Sequence, residues 1–195
     1  MASAITHAFI AVPLGKAFFP KEKSWRFWAL SILCSTLPDV DLYGFYLRTG
    51  HGGLFWHRGF THSLFFALFV SLAATWLGSK DQNLLPDASR WKSWLYFFLL
   101  TCSHAFLDAL NTGGHGVAFF FPFDIHRYSF PWAPLIISPL SARSFFGPRG
   151  REVILSELTW VWVPSILLWV VTKGARKLSS GFSLRKKEQV RDGSP

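Results

Sequence analysis

Three long apolar stretches, residues 60–77, 93–111 and 153–172, leave this chain few ways to fold. Each is close to the roughly 20 residues that a helix needs to cross a hydrocarbon layer of about 30 Å. Lipid admits only segments whose backbone groups are satisfied internally, so such stretches read as membrane-crossing helices. Pro164 inside the third predicts a kink there. Two shorter apolar segments precede them: residues 3–15, interrupted by Pro13 and Gly15, and residues 25–37, closed by Pro38. These are long enough for helices and short for a bilayer, so they are expected to be packed or partly embedded. The expected fold is all-α: an integral membrane helical bundle of about five helices, with three clear spans and two shorter N-terminal helices.

Composition agrees. Half of the 195 residues are apolar, 16% are charged, and there are 21 Phe and 10 Trp. The formal charge of +9 raises the question of nucleic acid. Much of that excess lies in the tail, at Lys173, Arg176, Lys177, Arg185, Lys186, Lys187 and Arg191, as in a cytoplasmic juxtamembrane segment. No basic strip interleaved with exposed aromatics competes with it, so a nucleic-acid partner is not expected. Cys34 and Cys102 lie in apolar runs without the paired spacing of a metal or disulfide framework, and read as buried packing residues. No basic segment precedes the first apolar stretch, so a cleaved signal peptide is not expected. Residues 1–178 read as one membrane-embedded domain and residues 179–195 as a basic, disordered cytoplasmic tail.

Lys and Arg counts give an orientation. With the C-terminal tail in the cytoplasm, the cytoplasmic segments 16–26, 78–92 and 173–195 hold 4, 3 and 7 basic residues, and the opposite face holds 6. The positive-inside rule favours this arrangement. Asp39 and Asp41 then lie at the outer end of the second apolar segment, and His57 and His62 at the outer start of the first span. His104 and Asp108 fall in the outer half of the second span, Glu157 in the first turns of the third, and His7 near the same face.

The ionisable residues gathered at that level carry the chemistry. His104-Ala-Phe-Leu-Asp108 puts an imidazole and a carboxylate on one helix face, where they can share a metal or form a core hydrogen bond. An Asp inside a span is costly without a partner, which favours the first reading. Pro38-Asp-Val-Asp41 offers two carboxylates that can cap a turn or wrap a divalent cation. His57-Arg-Gly-Phe-Thr-His-Ser63 stands in front of the first span with two imidazoles and a guanidinium. Arg58 can hold an anionic group such as phosphate, or pair with Asp39 or Asp41. Glu157 fits a ligand, a partner orienting a His, or an interface residue. His51, His115 and His126 sit in loops and read as solvated or substrate-side. Histidine and carboxylate without thiolate make zinc the leading metal, with manganese or iron the alternatives.

Together, Thr6-His7, Leu37-Pro-Asp-Val-Asp41, His57-Arg-Gly-Phe-Thr-His-Ser63, His104-Ala-Phe-Leu-Asp108, Gly113-Gly114 and Phe121-Pro-Phe123 resemble the YdjM-like family of inner-membrane metal-dependent hydrolases. That family is similar in turn to the zinc-dependent phospholipase C and P1 nuclease group, which is all-helical. The resemblance implies metal ligation by His7, Asp39 or Asp41, His57, His62, His104 and Asp108, and a phosphoester or lipid-like substrate. Asp41 and Arg58 are the residues expected to act on it. The H-x-x-x-E pair of the phospholipases has no counterpart here, so one or two ions are expected. The competing function is a non-catalytic membrane protein that binds or passes metal ions, for which intramembrane His and Asp serve as well.

Overall fold

A computed structural model describes the chain outside residues 43–56, 82–84, 86–88, 140 and 193–195, with the backbone alone for 142 and 180–192. The loop expected through residues 43–56, with His51, lies outside the described residues. Among the described residues the fold is all-helical, and the only pairings of strand type are two isolated bridges, Asn111 with Leu135 and Val117 with Tyr128.

Helix α1 (Ala4–Phe18) begins where the Ser3 hydroxyl accepts from Thr6 N–H, a capping bond that satisfies one of the orphan donors of the first turn. It runs through Pro13 and Gly15 instead of stopping at them. Gly15 lies at a crowded crossing: a Cβ there would stand 2.6 Å from the Trp28 ring and 3.0 Å from the Tyr96 hydroxyl. Helix α2 (Trp25–Thr36) is capped by Ser24 and passes into a 3-10 turn, Leu37–Asp41. The Pro-Asp-Val-Asp segment is therefore a tight helical turn and not the loop expected from its composition; Pro38 suits its start, where no N–H is needed. A second 3-10 turn, Phe60–His62, leads to Ser63, whose hydroxyl caps α3 (Leu64–Lys80). The first apolar stretch thus becomes helical four residues later than expected, because Ser63 is the better cap, and His62 stays in the turn before it.

Helix α3 packs on α4 (Arg90–Ala109) through a stripe of small residues, Ala67, Ser71, Ala74 and Gly78, all buried. Spacing of three and four puts them on one face, where short side chains let two backbones approach closely. The core beside them joins Phe19, Phe27, Cys34, Tyr96, Phe97 and Leu100. Both cysteines are buried and unpaired.

After a short helix α5 (Ala142–Phe145) comes α6 (Pro148–Glu157), a π-helical turn at Leu158–Trp162, and α7 (Val163–Asp192). In the π turn, Val163 N–H reaches back five residues to the Leu158 carbonyl. Pro164 follows directly; its missing N–H and its ring against the preceding turn account for the local widening, which takes the place of a simple kink. Helix α7 continues to Asp192, through residues expected to be disordered. A tail rich in Lys, Arg, Glu and Gln extends an existing helix without a nucleation cost.

The three expected spans differ in the structure. Pro148–Ser179 is the one described helix both long and apolar enough to cross a membrane, with a mean hydropathy of 1.7 over its best window. Helix α3 has 17 residues. Helix α4 has 20, but it begins with Arg90 and Lys92 and ends with His104 and Asp108.

Candidate metal centre

Four separate parts of the chain meet at one end of the bundle. Helix α1 brings His7, the turn after α2 brings Asp39 and Asp41, residues 57–63 bring His57, Arg58 and His62, and the last turns of α4 bring His104 and Asp108. At the centre stand one oxygen each of Asp39 and Asp108 and one nitrogen each of His62 and His104, all within 4.8 Å of one another. His104 Nε2 is 3.3 Å from Asp39 Oδ1, and His62 Nε2 is 3.7 Å from that oxygen and 3.6 Å from Asp108 Oδ2. Two donors on a tetrahedral zinc ion, each about 2.0–2.1 Å from it, stand about 3.3 Å apart, so these separations suit one small cation.

The decisive property of the four atoms is what they lack. Asp39 Oδ1, His62 Nε2, His104 Nε2 and Asp108 Oδ2 are buried and have no hydrogen-bond partner. Buried polar groups are nearly always paired, and two carboxylates brought this close repel each other unless something positive sits between them. The residues present therefore fit a divalent cation.

The surroundings set the protonation of each imidazole. His104 Nδ1 lies 2.8 Å from the Ser35 carbonyl, which can only accept. That nitrogen must be the N–H, so Nε2 presents its lone pair inward. Thr61 donates its hydroxyl proton to Asp41 Oδ2 at 2.6 Å and can then accept from His62 Nδ1 at 3.1 Å. His62 Nδ1 also lies 3.2 Å from Asp41 Oδ2, which turns its Nε2 inward as well.

Asp41 itself stands behind His62. Its oxygens accept from His57 Nδ1 at 2.8 Å, Arg58 N–H at 3.1 Å and the Thr61 hydroxyl. Burial pushes its carboxyl up, and the bonds from His57 and His62 outweigh that and hold it well below the usual carboxylate range. At Asp39, burial likewise pushes up and His104 prevails, leaving the carboxyl low. Asp41, His57 and His62 form a second group of ligand type that overlaps the first at His62. His7 stacks on His104, with ring centroids 3.6 Å apart, and its Nε2 faces the other Asp108 oxygen at 3.4 Å. That oxygen also accepts from Ala2 N–H at 2.9 Å.

Arg58 is buried, with Nε 3.2 Å from Asp108 Oδ2 and Nη2 without a hydrogen-bond partner. It therefore pairs with Asp108, and not with Asp39 or Asp41 through its side chain. Its φ of 67° is in the left-handed region, which a non-glycine residue enters only where its surroundings hold it there. The holding contacts are Arg58 N–H to Asp41 and Ala118 N–H to the Arg58 carbonyl at 3.0 Å.

Glu157 lies elsewhere, buried against the start of α1. Its carboxylate accepts from Ser3 N–H, from the Ser3 hydroxyl at 2.6 Å and from the Thr6 hydroxyl at 2.7 Å. Trp162, inside the π turn, donates to the same Thr6 oxygen at 2.8 Å. The long helix thus fixes the residue next to His7 and does not enter the cluster. His115 and His126 are exposed. Sequence reasoning missed Ser35, Thr61 and Ala2, which act through a carbonyl, a hydroxyl and an N–H; Thr61, beside His62, is the one whose position gave a signal.

The chain matches the model of the YdjM inner membrane protein family over residues 1–177. It is 35% identical over 168 residues to the inner membrane protein YbcI of Escherichia coli (strain K12), covering 86% of this chain and 95% of that protein. No solved structure matches it.

Proposed function

The chain belongs to the family of YdjM inner membrane proteins, and from that premise we propose that it is a multi-pass, metal-dependent hydrolase acting on phosphoester or lipid-like substrates at the outer membrane interface. The observation that carries this reading is the set of four buried donor atoms that face one another without a hydrogen bond, of which Asp108 Oδ2 alone has a cation, Arg58, beside it. Asp39, His62, His104 and Asp108 would hold the cation, zinc by its donor set, with manganese or iron the alternatives. Bound there, a divalent cation supplies Lewis acidity: it acidifies water and polarises a phosphoryl oxygen. The chain's own residues do the rest. Asp41 and the Ser35 carbonyl lock the two imidazoles with their lone pairs inward. Arg58, charged and with one N–H face unpartnered, binds an anionic oxygen of the substrate. Access is from the side of Asp39 and His57, the more exposed of the cluster, with side chains 13% and 22% exposed.

A second reading has an observation of its own. Four protein donors around one ion make a closed set, and closed sets are usual for metals that only hold a fold together. Transport is disfavoured, because among the described residues the core beyond the cluster sets Phe27, Tyr96, Phe97 and Leu100 beside the hydroxyls of Ser31, Ser71, Ser93 and Thr101 and buries no acid or histidine there.

Metal analysis of the purified chain and a panel of phosphomonoesters, phosphodiesters and phospholipids separate these readings. Stoichiometric metal that is lost in His104→Ala and Asp108→Ala, with turnover lost in parallel, is the expected result. Metal without turnover of any ester leaves the structural reading. Metal-free protein whose stability is unchanged by chelators overturns both.

A further inference from the structure

Arg58 and Arg127 come from segments 69 residues apart, and the chain brings the Arg127 guanidinium to the backbone carbonyl next to Arg58. Three features do this. Residues 117 and 128 exchange both backbone hydrogen bonds at 2.9 Å, closing the loop that carries Arg127 beside Tyr128. Arg127 Nη2 donates to the His57 carbonyl at 3.1 Å, adjacent to Arg58. Two glycines make the room: a Cβ on Gly114 would collide with Arg58 Nη1, and one on Gly116 would stand 2.9 Å from the Tyr128 carbonyl and 3.0 Å from the Arg127 carbonyl carbon. Gly116 also has a φ of +72°, which a side chain would resist.

The Arg127 guanidinium is half-buried, and that burial, together with the weaker effect of the Arg58 charge, lowers its pKa. Arg58 is buried with Nη2 unpartnered. Asp108 pairs with Arg58 and Asp41 acts favourably on Arg127, and an oxyanion held by both guanidinium groups would add to that compensation. Guanidinium groups suit phosphate oxygens because their N–H donors form a planar fork.

We propose that Arg127 is a specificity-determining residue of this site, and that Arg58 and Arg127 together hold the non-bridging oxygens of a phosphoryl group. The proposal rests on the hydrolase reading only for the bond cleavage after binding; the anion site itself is a property of the folded chain. A carboxylic ester or an amide presents no such pair of anionic oxygens, so the substrate class narrows to phosphoesters. Free phosphate and a phosphorylated lipid headgroup share this chemistry.

The test is binding of inorganic phosphate to the full-length, zinc-loaded chain in detergent, by calorimetry at fixed ionic strength. The comparison covers wild type, Arg127→Gln, Arg127→Lys and, as a surface control, Arg149→Gln. Arg127→Gln is expected to weaken phosphate binding about 10- to 100-fold, the loss of one charge-assisted contact, with zinc content and thermal stability unchanged. Arg127→Lys is expected to fall between, because it keeps the charge and loses the fork. Arg149→Gln is expected to bind as wild type. A short-chain phosphatidic acid in the same assay distinguishes the sources: tighter binding than inorganic phosphate assigns the site to lipid headgroups, and equal binding to phosphate alone. Phosphate binding that is absent from the zinc-loaded wild type, or equal in wild type and Arg127→Gln, overturns the proposal while leaving the metal centre intact. Failure of the wild type to take up zinc overturns the metal reading, and phosphate binding that persists without zinc keeps the arginine pair.

Discussion

Asp41 shows how much a single carboxylate can do from behind a candidate ligand. It accepts from the His57 ring, the Arg58 backbone and the Thr61 hydroxyl, and it sets the tautomer of His62. An amide cannot accept all of these bonds, because one of its two heads is a donor. Asp41→Asn is therefore expected to lower metal affinity about 10- to 100-fold, the usual loss when an outer partner of a liganding histidine is removed. Competition against a chromophoric chelator reads it, and unchanged affinity would separate Asp41 from the centre. Spacing made part of this legible in the sequence: a helix brings His104 and Asp108 onto one face whatever else happens. The partners that finish the site are backbone groups, such as the Ser35 carbonyl on His104 and the Ala2 N–H on Asp108. Any residue type supplies those, so no residue type announces them. The left-handed backbone of Arg58 was equally silent, since what holds it is tertiary.

Among the elements, the long C-terminal helix acts as a clamp on the first one. Glu157 takes three hydrogen bonds from Ser3 and Thr6, and the π turn at Leu158–Trp162 aims the Trp162 indole at Thr6. His7 follows Thr6 directly, so the clamp fixes where that imidazole stands. Glu157→Leu leaves two hydroxyls and one N–H without their acceptor in a buried place, at a cost of about 3 kcal/mol. Equilibrium unfolding in detergent should show that loss, and Glu157→Gln, which keeps one oxygen acceptor, should recover part of it. A Glu157→Leu protein as stable as wild type would make the clamp incidental. The helices themselves were legible from apolar runs, and the caps Ser3, Ser24 and Ser63, which the runs did not point to, set where they begin. Glu157 was not, because an acid at that depth suits a ligand, an orienting partner or an interface equally well, and only the fold brings Ser3 to it.

For the molecule as a whole, the metal-type residues and most of the lysines occupy opposite ends. His7 is near the start of α1, Asp39 just past the end of α2, His62 just before α3, and His104 and Asp108 at the end of α4. At the other end Arg26 pairs with Asp81 at 2.9 Å, and Arg176 reaches the carbonyls of Lys16 and Ala17. Helix α4, 20 residues long, separates the two ends by about 30 Å, the thickness of a hydrocarbon core. Apolar side chains on the outside, among them Phe69, Leu72, Leu99, Leu167 and Val171, suit a lipid surround. The excess of Lys and Arg at the end away from the cluster favours that end in the cytoplasm. Cysteine labelling in intact cells tests this directly. His126→Cys, exposed at the cluster end, is expected to react with a membrane-impermeant maleimide without cell lysis, and Lys177→Cys only after it. Cys34 and Cys102 are 2% and 5% exposed, so the native thiols should stay silent in both variants. The reverse pattern would put the metal centre on the cytoplasmic side and move the substrate pool there with it. Labelling of both positions only after lysis would mean that the ends do not lie across the membrane, and that α4 is a packed helix and not a span.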